Sequence, residues 1–171
     1  VRGFVESSGC VSMEAEHFTR KRERGGAAWE VVQGLGRSGD SVMVLPPTVP
    51  SRTQPADITA NSPSMEFDFY LFNAGEVRLD LDCLPTKPNT PKQGSGLAVS
   101  LDEGTPLLLA GHGGDVLSNL RRLTTKLSIP APGQHKLTVW MVDPGVVLDK
   151  IVLYTRPPPD SYLGPPESFR Q

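Results

Sequence analysis

The chain has 171 residues, 37 % of them apolar and 21 % charged, with a formal net charge of −2. That size suits one hydrophobic core, and so small a net charge gives no field to gather nucleic-acid phosphates or an anionic membrane, so neither is expected as a partner. No stretch approaches the roughly 20 apolar residues of a membrane span. The opening VRGFVESSGC lacks a signal peptide's apolar region, so an export signal would lie outside this chain.

Period-2 alternation runs through most of the sequence, and its 17 glycines and 17 prolines leave little room for long helices. Val11, Met13 and Ala15 alternate with Ser12, Glu14 and Glu16. The basic run Arg20-Lys21-Arg22, with Arg24, is read as a solvated loop, although Arg is also the residue that pairs bidentately with carboxylates. Trp29 to Val32 and Ser41 to Leu45 follow as strands, with Trp29 in the core. Pro46 to Pro63 is rich in turn formers and is expected to be a surface loop. Met65, Phe67, Phe69 and Leu71 alternate with Glu66, Asp68, Tyr70 and Phe72, and Val77, Leu79, Leu81 and Cys83 with Arg78, Asp80 and Asp82. Asn73-Ala74-Gly75 between these two runs predicts a short hairpin turn.

Beyond a second loop, Pro85 to Gly96, Leu97, Val99 and Leu101 lead to the turn Asp102-Glu103-Gly104. Asp115 to Arg122 carries a weak helical pattern, barely two turns long. Leu123 to Ile129 is a further strand, and Leu137, Val139 and Met141 precede the turn Asp143-Pro144-Gly145 that enters Val147 to Tyr154. Eight to ten short strands with turns between them predict an all-β fold, an antiparallel β-sandwich or jelly roll over residues 1–156. Residues 157–171 form a Pro-rich extended tail. Cys10 and Cys83 both adjoin strands and fit a single disulfide or two buried thiols equally well.

Sugar sites combine aromatic faces with a few polar groups. Trp140 is out of phase with the core residues Leu137, Val139 and Met141, as Tyr70 is with Phe67 and Phe69, so the two are candidates for a shallow platform on an outer sheet face unless loops or the tail cover it. Asp115, Asn119 and Asp143 lie in glycine-rich turns, where they would read sugar hydroxyls or merely cap the turn. His17, His112 and His135 show neither metal-ligand spacing nor a nucleophile partner, and no paired carboxylates across a cleft are evident, so no catalytic residue is assigned.

Three segments, Val11 to Phe18, Trp140 to Ile151 and Ser161 to Ser168, together with Gly3 to Ser7 and Trp29 to Gly39, resemble the C-terminal region of glycoside hydrolase family 115, the xylan α-1,2-glucuronidases. The resemblance implies a secreted or periplasmic, non-catalytic sandwich appended to a catalytic barrel absent here, with xylan or glucuronoxylan of the plant cell wall, that catalytic domain or a second copy of the chain as partners. The Glu14-x-Glu16 start and the Leu148 to Ile151 finish are more distantly similar to carbohydrate-binding module families 6 and 35, the galactose-binding-like sandwiches, which implies a structural calcium ion. Residues two apart on a strand project to one face, so Glu14 and Glu16 would offer hard oxygen ligands together, joined by Asp149 if the last strand pairs beside the first and by carbonyls of the Gly34 to Ser38 loop. The other reading of these acids is a strand edge paired with Lys or Arg. The sequence departs from those families in carrying Val146 and Val147 where a ligand Asn commonly sits and no aromatic in Gly111 to Asn119, which counts against an apical sugar cleft.

Overall fold

A computed structural model describes residues 1–37, 39–87, 94–110, 120–158 and 164–171. In chain order the elements are β1 (Phe4–Val5), β2 (Cys10–Glu14), β3 (Arg20–Arg22), β4 (Ala28–Val32), β5 (Ser41–Leu45), α1 (Pro55–Asn61), β6 (Ser64–Leu71), β7 (Gly75–Leu84), β8 (Leu97–Leu101), β9 (Leu107–Leu109), β10 (Arg121–Ile129), β11 (Gly133–Met141) and β12 (Val147–Tyr154). They form two sheets. The first runs β1-β6-β11-β8-β9 with β3 beside β6, and the second runs β10-β7-β12-β5-β4 with β2 beside β12. Pairing is antiparallel apart from β1 with β6.

The alternation read from the sequence decides which side chains meet between the sheets. Met65, Phe67, Phe69 and Leu71 of β6 lie against Leu79, Leu81 and Cys83 of β7, Leu137 and Val139 of β11 and Ile151 and Leu153 of β12, all without solvent exposure. Trp29 joins them, 1 % exposed, its indole N–H donating to the Pro63 carbonyl at 3.2 Å. Cys10 and Cys83 are free thiols in separate clusters of buried residues, so the disulfide alternative is not realised.

Four local expectations are corrected. Asn73-Ala74-Gly75 does not close a hairpin, because β6 and β7 belong to opposite sheets and the turn carries the chain across the core. Arg20 to Arg22 is the edge strand β3, all three residues exposed, as befits a charged edge. Pro55–Asn61, inside the expected loop, is a short helix with Pro in its first turn and a single buried residue, Ile58, too little apolar periodicity to register in the sequence. Of the expected helix, Arg121 and Arg122 open β10, while residues 111–119 lie outside the described residues.

The described part of the tail lies against the sandwich. Ser168 and Ser12 exchange hydrogen bonds, Ser168 N to Ser12 O at 2.8 Å and Ser12 N to Ser168 Oγ at 2.9 Å. Farther along, Gly3 and Gln171 exchange two backbone bonds of 2.9 Å each, continuing the first sheet beyond β1. This cover explains why every residue of the edge strand β2 is buried.

Candidate functional site

The outer face of the first sheet carries a cleft of about 300 Å³. Register places its lining in two cross-strand rows. Arg22 of β3 faces Ser64 of β6, which faces Trp140 of β11. One step along, Arg20 faces Glu66, which faces Thr138, which faces Ser100 of β8. Side chains directly opposite on neighbouring strands share a face, so alternation that sends Met65 and Val139 inward turns these residues outward together. Helix α1 and the β8–β9 turn, with Thr59 and Glu103, wall the cleft.

Trp140 is half-buried, packed against Ile58, Ala98 and Val142, and its Nε1 donates to Ser100 Oγ at 3.2 Å. Every carboxylate lining the cleft has a donor. Glu66 accepts from Arg20 Nε at 2.6 Å and Lys136 Nζ at 3.3 Å, Glu103 accepts from Lys136 at 2.6 Å, and Asp102 accepts from the Lys136 backbone N–H at 3.0 Å and faces His135 Nδ1 at 3.1 Å. Burial works against ionisation of Glu66, but the hydrogen bonds from Arg20 and Lys136 outweigh it and hold its pKa below the ordinary value. Lys136 is pushed up, chiefly by its hydrogen bond to Glu103. Arg24 donates to the carbonyls of Thr59 and Ala60, both at 2.9 Å. The Arg22 side chain is exposed and makes no hydrogen bond or ion pair with the described residues, so its guanidinium is available to an incoming anion.

The expected platform of Trp140 and Tyr70 is not assembled. Trp140 pairs with Ser64 and Tyr70 with Gln134, at opposite ends of β6, a separation of about 20 Å at the usual rise per strand residue. Tyr70 meets Phe72 instead, ring centroids 5.3 Å apart and edge to face. Asp143 is buried and engaged by protein groups, Oδ1 accepting from Ser51 Oγ at 2.6 Å and Oδ2 from Gly96 N at 2.8 Å. Asp115 and Asn119 lie outside the described residues. Glu66, Ser100 and Lys136 were not singled out in the sequence. Alternation puts each on a polar phase, but which strand neighbours which is a tertiary fact.

A second acidic site lies at one end of the second sheet. The last strand, β12, does pair beside β2, the strand that carries Glu14, with Lys150 opposite Glu14, and the ladder between β12 and β7 slips at Asp149, a bulge that re-aims that side chain. Asp149 is 2 % exposed and accepts from Arg37 N at 3.1 Å and Ser41 Oγ at 3.2 Å. Glu16 does not continue the strand. It sits in a 3₁₀ turn over Ala15–His17, from which Oε1 accepts from Asp40 N at 3.1 Å while Oε2 is buried with no hydrogen-bond partner among the described residues. Glu14 lies 3.5 Å from Lys150 Nζ. Burial raises the Asp149 pKa, and the nearby Glu14 charge adds to the effect. Gly36 and Gly39 let the loop pass close, since a Cβ on Gly36 would meet Asp149 Oδ1 at 2.7 Å and one on Gly39 would meet Glu16 Oε1 at 2.6 Å. Among the described residues no three Asp, Glu, His or Cys side chains form a metal cluster by themselves. The donors present are all hard oxygens, the kind of ligand calcium takes, and Glu16 Oε2 has no hydrogen-bond partner among the described residues.

Comparison with known proteins gives the fold a lineage. No curated protein sequence matches the chain. Among solved structures, the family 115 4-O-methyl-α-glucuronidase BtGH115A, described as specific for decorated arabinogalactans, superposes with a TM-score of 0.63 at 19 % identity, over 87 % of this chain and 18 % of that one. The C-terminal family 6 carbohydrate-binding module of LamC from Zobellia galactanivorans gives 0.53 at 11 % identity, covering 85 % and 98 %. The module CsCBM6-3 of Clostridium stercorarium, solved with cellobiose, gives 0.54 at 13 % identity, covering 84 % and 92 %. These likenesses establish the β-sandwich fold, and the chain spans under a fifth of the glucuronidase. The model of the glycosyl hydrolase family 115 C-terminal domain matches residues 3–167, and the chain belongs to that family.

Proposed function

We propose that this domain is a non-catalytic glycan-binding module of a secreted glucuronidase, and that the outer-face cleft takes a sugar carrying a carboxylate, as in glucuronoxylan. The observation that carries this reading is the row Arg22–Ser64–Trp140. Neighbouring strands stand about 4.8 Å apart, so a guanidinium with no counter-ion among the described residues and an indole edge flank a space about one sugar ring wide. Ser64, Thr138 and Ser100, each at most 4 % exposed, floor the space between them, and the ion-paired Glu66 and Lys136 border it. A uronate ring would set its carboxylate on Arg22 and its C–H face toward Trp140. Calorimetric titration with glucuronic acid, glucuronoxylan and unsubstituted xylan tests it. Binding of the acidic ligands that is lost in Arg22→Ala supports the reading, and equal binding by that variant refutes it.

Calcium would sit between Glu16, Asp149 and the 34–40 loop, with Glu14 adding negative charge behind them. Its part would be to brace that loop against the bulge of β12. Such a cross-link would join the turn that follows β2, the loop and β12, away from the cleft.

A different role is favoured by a separate observation. Val5 is in register with Tyr70 and donates its N–H to the Phe169 carbonyl, and Tyr70 stacks edge-on against Phe72. Phe169 and Phe72 are 69 % and 58 % exposed. Such an aromatic row suits packing on a catalytic domain or a second copy of the chain, and light scattering of Phe72→Ser with Phe169→Ser against the parent tests the second of these.

A further inference from the structure

The outer face of the second sheet, on the far side of the sandwich from the cleft, carries a chamber of about 280 Å³ bounded by the tail. Cys10 of β2 and Tyr154 of β12 line it, directly opposite each other in register and clustered with Val152 apart from the main core. Pro157, Pro165 and Pro166 of the tail face it too, and Ser8, Gly9 and Gly164 complete its wall. That wall is pinned, since the Pro165 carbonyl accepts from Ser12 Oγ at 3.2 Å and from Lys150 Nζ at 2.8 Å. A recess of about 220 Å³ shares Tyr154 and Pro157 with the chamber, and its charged side chains are Glu76, Arg78, Lys126 and Arg156. Lys126 pairs with Glu76 at 3.0 Å, and Arg78 with Asp80 at 2.9 Å. Arg156 is exposed, and its side chain makes no hydrogen bond or ion pair with the described residues. Its stem is nevertheless held against Gly9, where a Cβ would come within 3.0 Å of Arg156 Cδ. Gly9 has a φ of +81°, which glycine adopts without strain, so the turn can take the arginine stem this closely. Because Gly9 lines the chamber and Arg156 the recess, the guanidinium stands beside both.

We propose that this is a second binding site, one that takes a small aromatic carboxylic acid with its ring in the chamber and its carboxylate on Arg156. A carbohydrate suits it poorly. The polar side-chain groups of the lining are the Ser8 hydroxyl, the Tyr154 phenol and the Cys10 thiol, too few for the hydroxyls of a pyranose, which would give up water without replacement. A flat arene needs no such partners, and the Tyr154 ring and the proline rings offer it apolar faces and edges to pack on. A space of about 280 Å³ lies at the lower end of what small-ligand sites occupy, which suits one ring. The carboxylate meets the guanidinium fork of Arg156, whose donors match it in pairs and are engaged by no described residue. The site is independent of how the cleft is used.

Calorimetry and amide NMR of the whole chain with three probes test this: phenylpropanoate, its primary amide, and propanoate. Phenylpropanoate is expected to bind saturably and about ten-fold more tightly than the amide, which keeps the ring and loses the charge. Propanoate, which keeps the charge and loses the ring, should also bind about ten-fold more weakly or worse. Chemical-shift changes should centre on the amides of Ser8, Gly9, Cys10 and Tyr154. Arg156→Ala, at an exposed position, should bring phenylpropanoate down to the affinity of the amide. The proposal is overturned by an absence of saturable binding, by an amide or propanoate as tight as the aromatic acid, or by an Arg156→Ala variant that binds as the parent does. Shifts centred on Ser64 and Trp140 would overturn it as well, by placing the acid in the cleft.

Discussion

Trp140 and Ser100 are joined across β11 and β8 by an indole N–H donating to a hydroxyl at 3.2 Å, so the aromatic edge of the cleft is held by its polar end while Ile58 supports its ring. Trp140→Phe keeps an aromatic ring and removes that bond. A net hydrogen bond contributes about 0.5–1.5 kcal/mol, so a loss of stability in that range is expected in denaturant unfolding, together with several-fold weaker binding of uronate sugars. Unchanged binding would show that the orientation of the indole is irrelevant to the site.

Helix α1 is held to the sheet by one fully buried side chain. Ile58→Ala should cost about 2–5 kcal/mol and, because Ile58 packs on Trp140, should shift tryptophan emission to the red. Trp29, 1 % exposed in the core, supplies the unshifted reference. A destabilised variant with unaltered emission would mean that the helix does not shelter Trp140.

The Glu66 carboxylate has a folded-state pKa below its ordinary value of 4.5, with burial opposed and outweighed by Arg20 and Lys136. A group whose folded pKa is depressed contributes stability above its unfolded pKa and loses it as pH falls through the folded value. Melting temperature should therefore drop on acidification below about pH 4.5 more steeply for the parent than for Glu66→Gln. Parallel curves would remove Glu66 from the network.

Asp149 has the opposite sign. Burial first and the Glu14 charge after it raise its pKa above 3.8, so its ionised form is disfavoured in the folded state and stability falls as pH rises through the folded value. At neutral pH a bound cation would offset this. Calcium should raise the melting temperature of the parent and leave Asp149→Asn unmoved, while in chelator the variant melts at or above the parent. No calcium response in the parent would discard the metal proposal.

Cys83 has no solvent exposure and burial pushes its thiol up to about 12, while burial also raises Cys10. Neither should react with a thiol reagent at neutral pH until the protein unfolds, and mass spectrometry should find both reduced. Rapid labelling of Cys83 in the native state would contradict its packing.

The sequence by itself determined the sandwich and most of its core, since period-2 alternation assigns Met65, Phe67, Phe69, Leu79, Leu81 and Val139 to one side of their strands whatever those strands pair with. It also placed Trp140 on the outer phase. Only the tertiary structure decided which strands became neighbours. It sent β6 and β7 to opposite sheets, put Arg22 in line with Ser64 and Trp140, separated Tyr70 from Trp140 by the length of a strand, and laid α1 over the cleft. Alternation carries the face of each residue but not the register or partner of its strand, because those depend on long-range packing of the whole core. A bulge such as the one at Asp149 escapes it for the same reason, being defined only by the strand opposite.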